Sequence, residues 1–278
     1  MHEWPHIRLE VKLRRPSEGR GRFFGMDNKK LSMTKNPDPR LETSAVRARY
    51  SNSTAYTVTD SWHDYTGEEV RREIARVWDS LPTGPEHIIL NAGAGNNDLG
   101  LCPPTTINLD ISETGVSDLP NPLVASVEDI PLEDDSVDTI LCIGSVINYC
   151  AAAAAIIEFG RVLRPGGYLI LEFESSYSAE LIKQDSFKQS ATVVESFYAE
   201  QMEVVWAYSP QYIHNLLRAA KFKVERSVPV HVLSPWALLL SSNVRVAAFI
   251  ARLDRLARWV PFLSLWASNH LLFCVKQT

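Results

Sequence analysis

The apolar run Ile88-Ile89-Leu90 breaks directly into Asn91-Ala92-Gly93-Ala94-Gly95-Asn96, and no other stretch of this 278-residue chain constrains its fold as tightly. A buried strand that ends in Gly-x-Gly lets the backbone turn sharply and approach a ligand that side chains would hold off. Thr106-Ile107-Asn108-Leu109-Asp110 is a second strand-like run, ending in a carboxylate 15 residues after Gly95. In a doubly wound sheet the second strand lies beside the first, so a carboxylate at its tip can accept hydrogen bonds from both hydroxyls of a ribose. Together the two runs predict a site for an adenosine-bearing cofactor, although the loop taken alone reads equally well as a structural tight turn.

Residues further on narrow the cofactor. A dinucleotide fingerprint places a third glycine where this chain has Asp98, then opens a helix on the pyrophosphate. Pro103-Pro104 forbids a long helix there, which disfavours a nicotinamide dehydrogenase. S-adenosylmethionine (SAM) carries no phosphate and needs no such helix.

Four segments follow in order: Ala125-Ser126-Val127-Glu128-Asp129-Ile130-Pro131, then Leu132-Glu133-Asp134-Asp135-Ser136-Val137-Asp138, then the strand Thr139–Ile143 leading into Gly144-Ser145-Val146-Ile147-Asn148-Tyr149, and finally Arg161-Val162-Leu163-Arg164-Pro165-Gly166-Gly167. This set resembles the class I SAM-dependent methyltransferases, in particular the small-molecule group with a type 11-like methyltransferase domain. The resemblance covers residues 85–175 closely and 205–278 loosely. It implies SAM as cofactor and S-adenosylhomocysteine as product. It also implies a Rossmann-like seven-stranded sheet, mostly parallel with an antiparallel last strand, and helices on both faces.

The family pattern assigns roles residue by residue. Gly93 and Gly95, with Ala92 and Ala94 between and beside them, line the methionine and ribose portion through backbone atoms. Asn91 stands where the family usually has Asp or Glu. Asp110 binds the ribose, Ile111 packs on adenine, and Val127 offers it a backbone N–H. Ser126 occupies the usual acidic position, which leaves Glu128 to reach the adenine amino group. Cys142 and Ile143 contact the methionine part. Core packing accounts equally well for Ile111, Val127, Cys142 or Ile143 taken singly.

Composition limits the class of partner. Residues 1–40 hold ten Lys or Arg against five Asp or Glu, net +5; the whole chain is −5, so residues 41–278 carry −10. An acidic body is a poor platform for nucleic acid, which demands clustered cations. Residues 1–44 read as a basic, disordered leader, mixing Pro, Gly, Arg and Ser with little apolar periodicity. Residues 45–278 are then the methyltransferase domain, opening with a lid and helix over 45–84. No signal-peptide pattern stands at the amino terminus. Cys102, Cys142, Cys150 and Cys274 show no C-x-x-C spacing, which suits a reducing cytoplasm and argues against a metal site.

Helical periodicity is expected over Glu68–Leu81, Ala151–Leu163 and Ser209–Ala220. Strands are expected near 87–91, 106–110, 122–126, 137–143, 167–173, 222–228 and 270–276. About forty residues separate the last two, predicting a helical insertion over 229–268. Within it Val244–Trp259 reads as one helix, with Val246, Phe249, Ile250, Leu253 and Leu256 on one side and Arg252, Asp254, Arg255 and Arg258 opposite. Packing of that stripe on the domain is the ordinary expectation, and contact with a membrane surface the sharper one. Pro229 and Pro235 interrupt the apolar stretch and argue against a transmembrane segment.

A sulfonium methyl donor is already activated, so the protein must chiefly align the acceptor and exclude water. A hydroxyl or carbon-acid acceptor also needs a general base. Tyr149, Glu174 and His231 are the catalytic candidates, each with a structural role as the alternative. Tyr50 to Trp62 is placed to fold over the cofactor. The aromatic load of residues 177–208 suggests a small apolar or planar acceptor. Two other functions fit less of the sequence: methylation of protein or RNA, and SAM binding without turnover.

Overall fold

The computed structural model describes residues 38–51, 61–78, 81, 86–97, 99–198, 201–240, 244–257 and 260–278. Residues 1–37 of the expected leader, and Tyr56 of the expected lid, lie outside the described residues. Residues 38–44, also read as leader, are packed on the body: Leu41 is buried, and Arg40 donates to Glu195 at 3.2 Å.

Two helices come first among the described residues, α1 (Thr43–Tyr50) and α2 (Ser61–Trp78). An alternating series follows: β1 (Ile89–Ala92), β2 (Ile107–Asp110), α3 (Glu113–Val116), β3 (Pro122–Val124), β4 (Val137–Cys142), α4 (Ala152–Val162) and β5 (Leu163–Glu174). Then come β6 (Ala191–Tyr198), β7 (Gln201–Tyr208), α5 (Pro210–Ala219) and β8 (Phe222–Val230). Four short helices, α6 (Ser234–Leu240), α7 (Val244–Ala251), α8 (Asp254–Ala257) and α9 (Pro261–Ser264), precede the last strand, β9 (Asn269–Lys276).

Seven strands form one sheet in the order β3-β2-β1-β4-β5-β9-β8, with β9 antiparallel to both neighbours. Strands β1 and β2 are buried along their whole length because helices cover both faces of the sheet. Ala155, Phe159, Ile213 and Leu217 of α4 and α5 pack on one face, and Val70 and Ile74 of α2 on the other. Ser209 begins α5 by accepting the Tyr212 N–H at 3.1 Å, with Pro210 at the first helical position. The expected Rossmann-like plan is present.

Three features differ from the sequence expectation. The segment 191–208 is a hairpin, β6 against β7, which periodicity does not announce. Helix α2 begins seven residues before Glu68, at Ser61. The expected single helix over 244–259 breaks into α7 and α8, and its apolar stripe points outward: Phe249 and Leu256 are 67% and 73% exposed. The cause is Asp254, which is buried and accepts from Leu233 N at 2.7 Å and Ser234 Oγ at 3.1 Å. That anchor turns the small residues Ala251 and Ala257 inward instead. No helix among the described residues is long and apolar enough to cross a membrane.

Candidate functional site

The chain runs outward from β1 to β2 and β3, then crosses back to β4, so the strand order switches between β1 and β4. In open α/β sheets the crevice at the carboxyl ends beside such a switch is where ligands bind. Gly93 and Gly95 sit there at φ of +78° and +53°, a backbone region that favours glycine. Gly93 N and Ala94 N both donate to Leu109 O, at 2.7 and 2.8 Å. Gly95 N donates to one carboxylate oxygen of Asp110 and Ser112 N to the other, each at 2.8 Å. The Asp110 carboxylate is thereby fixed across the tips of β1 and β2. Asn91 donates to Asn108 Oδ1 and Asn97 O, both at 3.0 Å. The residue standing in place of an acid therefore pins the loop to β2. Ala92 and Ala94 are buried beside it.

A Cβ at Gly93 would lie 2.3 Å from a methyl of Val146, in the loop after β4, whereas one at Gly144 (φ +73°) would meet nothing within 4 Å. Gly93→Ala should cost about 2–3 kcal/mol, through overpacking added to backbone strain, against about 1 kcal/mol for Gly144→Ala. Urea denaturation midpoints measure the difference. Equal losses would show that the loops after β1 and β4 do not touch.

Beyond Asp110, α1 lies over the ends of β2 and β3. Arg47 Nε donates to Ile111 O at 3.2 Å, and Ser112 Oγ donates to Tyr50 O at 2.8 Å. Ile111 is half-buried and Val127 buried. Ser126 Oγ accepts the Glu128 N–H at 3.1 Å. The Glu128 carboxylate accepts from Ala151 N at 2.8 Å and from Thr43 Oγ1 at 3.2 Å. It thus ties the start of α4 to α1.

On the other side of the switch, Cys142 is buried and Ile143 half-buried at the end of β4. Burial pushes the Cys142 thiol far above its ordinary range, so it stays protonated. Gly144 and Ser145 both take positive φ, and Gly144 N donates to Glu172 Oε2 at 2.7 Å. Asn269 Nδ2, from β9, reaches Glu172 Oε1 at 3.1 Å. Two residues along β5, on the same face, stands Glu174. Asn148 clamps its backbone, accepting from Glu174 N at 3.0 Å and donating to Glu174 O at 3.1 Å. Burial pushes the half-buried Glu174 carboxyl up to about 7, against a hydrogen bond from Ser145 that lowers it; the carboxylates of Glu172 and Glu180 push the same way as burial. Burial likewise holds Tyr149 well above the ordinary phenol range. Its hydroxyl donates to Glu203 at 2.5 Å, and its ring meets Tyr50 edge-on at 5.5 Å. Arg49 of α1 pairs with the same Glu203.

His231 follows Val230, which Asn269 joins in register to Glu174. It is fully buried at the exit of β8, with Nδ1 2.9 Å from Ser234 Oγ and Nε2 2.5 Å from Thr66 Oγ1. Its ring also meets Tyr65 of α2, with centroids 5.6 Å apart, and lies 4.0 Å from the Asp254 carboxylate of α8. The structure brings Asp110, Gly93 and Gly95 together, and sets Glu174 beside Asn148 and Tyr149. Glu172, Ser145 and Asn269 join that second group without any motif. Only Glu172 has a signal, since alternation along Ile170, Glu172 and Glu174 puts both carboxylates on one face.

Residues 92–171 match the family model described as a methyltransferase domain. A Listeria monocytogenes protein described as an S-adenosylmethionine-dependent methyltransferase superposes with a TM-score of 0.53 at 14% identity, covering 77% of this chain and 99% of its own. The 1,6-didemethyltoxoflavin-N1-methyltransferase of Burkholderia thailandensis, solved with 1,6-didemethyltoxoflavin and S-adenosylhomocysteine, gives a TM-score of 0.51 at 13% identity over 88% of this chain and 92% of that one. At such identities the likeness is one of fold. No curated protein sequence matches the chain.

Proposed function

We propose that this chain, whose residues 92–171 match a methyltransferase domain, is a class I SAM-dependent methyltransferase that transfers the methyl group of SAM to a small apolar or aromatic metabolite. The observation that carries the cofactor is the carboxylate of Asp110, held by Gly95 N and Ser112 N at the mouth of the switch-point crevice. A ribose diol donates two hydrogen bonds, and a carboxylate is an acceptor-only group with two oxygens. Gly93 and Gly95 supply the positive φ that folds the loop back onto it, so the residues present fit the cofactor. When bound, SAM supplies a methyl group already activated on a sulfonium.

The chain's own part is positioning and proton handling. Asn91 and Asp110 hold the loop after β1 in shape, and α1 covers the ribose and adenine side. Glu174 is the group that takes the proton of a hydroxyl or carbon-acid acceptor, because a carboxyl near 7 is substantially ionised at neutral pH and still basic enough to accept it. Tyr149, held as a neutral phenol, orients the acceptor together with Tyr50. His231 instead holds the insertion to α2. The aromatic pair Tyr50 and Tyr149, with ring centroids 5.5 Å apart, favours a planar or apolar acceptor over a macromolecule. Buried thiols at Cys142, Cys150 and Cys274 suit a reducing cytoplasm as the site of reaction.

Calorimetric titration with SAM, S-adenosylhomocysteine and NAD tests the cofactor. Saturable binding of the first two and none of the third is expected, followed by turnover in a screen of aromatic and apolar acceptors. Silence from all three in folded protein would leave the fold without the activity.

A further inference from the structure

We propose that Tyr177, Phe187 and Trp266 form a cation cage at the carboxyl edge of the sheet, a subsite for a quaternary ammonium group that enters by displacing the Lys188 side chain. The Lys188 ammonium lies over all three rings, 4.9 Å from the centroid of Trp266, 5.1 Å from that of Phe187 and 5.8 Å from that of Tyr177. Each ring is within the reach of about 6 Å at which the negative face of an aromatic attracts a cation. The rings come from three places: Tyr177 from the turn after β5, Phe187 from the loop before β6, and Trp266 from the turn before β9. Trp266 stacks on Phe187 at 5.3 Å, and Trp236 of α6 backs it at 5.5 Å. One ring beneath a lysine stem is ordinary surface packing; three rings around one ammonium make a receptor for charge.

Lys188 stands in the cage for the ligand. The residue is exposed, and among the described residues no hydrogen-bond acceptor or carboxylate holds its ammonium. Its backbone takes φ of +62°, a region lysine rarely adopts, and its N–H donates to Ser176 O at 2.9 Å, which folds the loop back over Tyr177. A primary ammonium is strongly hydrated, and it gives up water on entering a ring of aromatics that offers no acceptor in return. An ammonium carrying only alkyl groups has no N–H to satisfy and binds there more readily. The tethered lysine is then a plug that such a group displaces. The chain's net charge of −5 draws a cationic ligand in rather than repelling it.

The cage adjoins the candidate base. Glu174 pairs in register with Asn269, Ser175 N donates to Ser268 O at 2.7 Å, and Ala179 N donates to Trp266 O at 3.3 Å. Tyr177 and Trp266 therefore extend the paired ends of β5 and β9. A ligand anchored there by its charge is held at the edge of the sheet that carries Glu174. That this ligand is the methyl acceptor rests on the methyl-transfer reading; the cation site itself does not.

Calorimetric titration of the full chain with choline, and with its uncharged carbon isostere, tests the proposal. Weak saturable binding of choline is expected, and none of the isostere. Lys188→Ala removes the plug and should tighten choline about tenfold, because a cage filled by its own tether lowers the apparent affinity by the fraction left open. Phe187→Leu in that background keeps apolar volume but removes one face, and should weaken choline about tenfold. Tyr177→Leu, on a separate segment, should act in the same direction, with thermal melting confirming that each variant is folded. No choline binding by folded Lys188→Ala, equal binding of the uncharged isostere, or unchanged affinity in both ring variants would overturn the proposal. SAM titrated into the same preparations separates the two readings. Choline bound with SAM silent removes the acceptor role and leaves the cation site; SAM bound with choline silent removes the cage and leaves methyl transfer.

Discussion

Asp110→Ala should weaken SAM binding about 10- to 150-fold, the equivalent of the roughly 1.5–3 kcal/mol carried by hydrogen bonds to a charged group. The change acts twice. It removes the acceptor for the ribose hydroxyls, and it strips the Gly95 and Ser112 N–H groups of the partner that fixes both loops. Asp110→Asn should do nearly as badly. An amide replaces one of the two oxygens with an NH2 group, and that donor must then face either Gly95 N–H or Ser112 N–H. Glu at this position carries the charge one methylene too far for either bond. Calorimetric titration of the folded variants reads the effect. Unchanged affinity in Asp110→Ala would remove Asp110 from the site and leave it as a loop anchor only.

This prediction rests on residues visible in the sequence, and the reason is local. A glycine turn and the carboxylate that closes it lie 15 residues apart on neighbouring parallel strands, so spacing along the chain stands in for distance in space. The same holds for the turn after α4. Arg161 donates to Ile130 O and Leu132 O, and Arg164 makes a paired contact with Asp138, so the Arg-Val-Leu-Arg segment fastens the loop before β4 rather than touching the site. Long-range partners leave no such trace. Asn269 reaches Glu172 across 97 residues, and nothing in Ser268-Asn269-His270 announces it. The β6–β7 hairpin is silent for another reason: Ala199-Glu200 joins its strands without the glycine or asparagine that marks a tight hairpin. The insertion misleads because periodicity reports that a face is apolar and says nothing of which way it points. There the buried Asp254 decides, overriding the moment of the helix.

The loops that meet at the carboxyl edge divide the labour. Those after β1 and β2 are pinned at their backbone groups by Leu109 O, Asp110 and Asn91, which suits a cofactor whose shape does not change. The region after β4 and β5 is built from side chains, with Glu172, Glu174, Ser145 and Asn269 from three elements. Side-chain sites are readily retuned by substitution, which suits the half of the site that must recognise a particular acceptor. The cover α1 bridges the two halves, through Thr43 to Glu128 and through Arg49 and Tyr50 to Glu203 and Tyr149.

With an acceptor that must lose a proton, Glu174→Gln should lower kcat by about 10²- to 10⁴-fold, the range for removal of a positioned general base. SAM affinity should stay within about twofold, because Glu174 ends β5, on the other side of the switch point from Asp110 at the end of β2. The wild-type profile supplies the second reading. A base works in its ionised form, and burial has raised the Glu174 carboxyl to about 7. Activity should therefore climb as pH rises through 7 and level off above it. The Gln variant, with nothing to ionise at that position, should lose this limb and show a flat residual rate across the same interval. Glu174→Asp keeps the acid but shortens its reach, and should retain the limb at a reduced plateau. A pH limb that survives in Glu174→Gln would assign the titration to another group. A flat wild-type profile with full activity in the Gln variant would mean an acceptor, such as a neutral amine, that reaches the methyl group without surrendering a proton to this carboxylate.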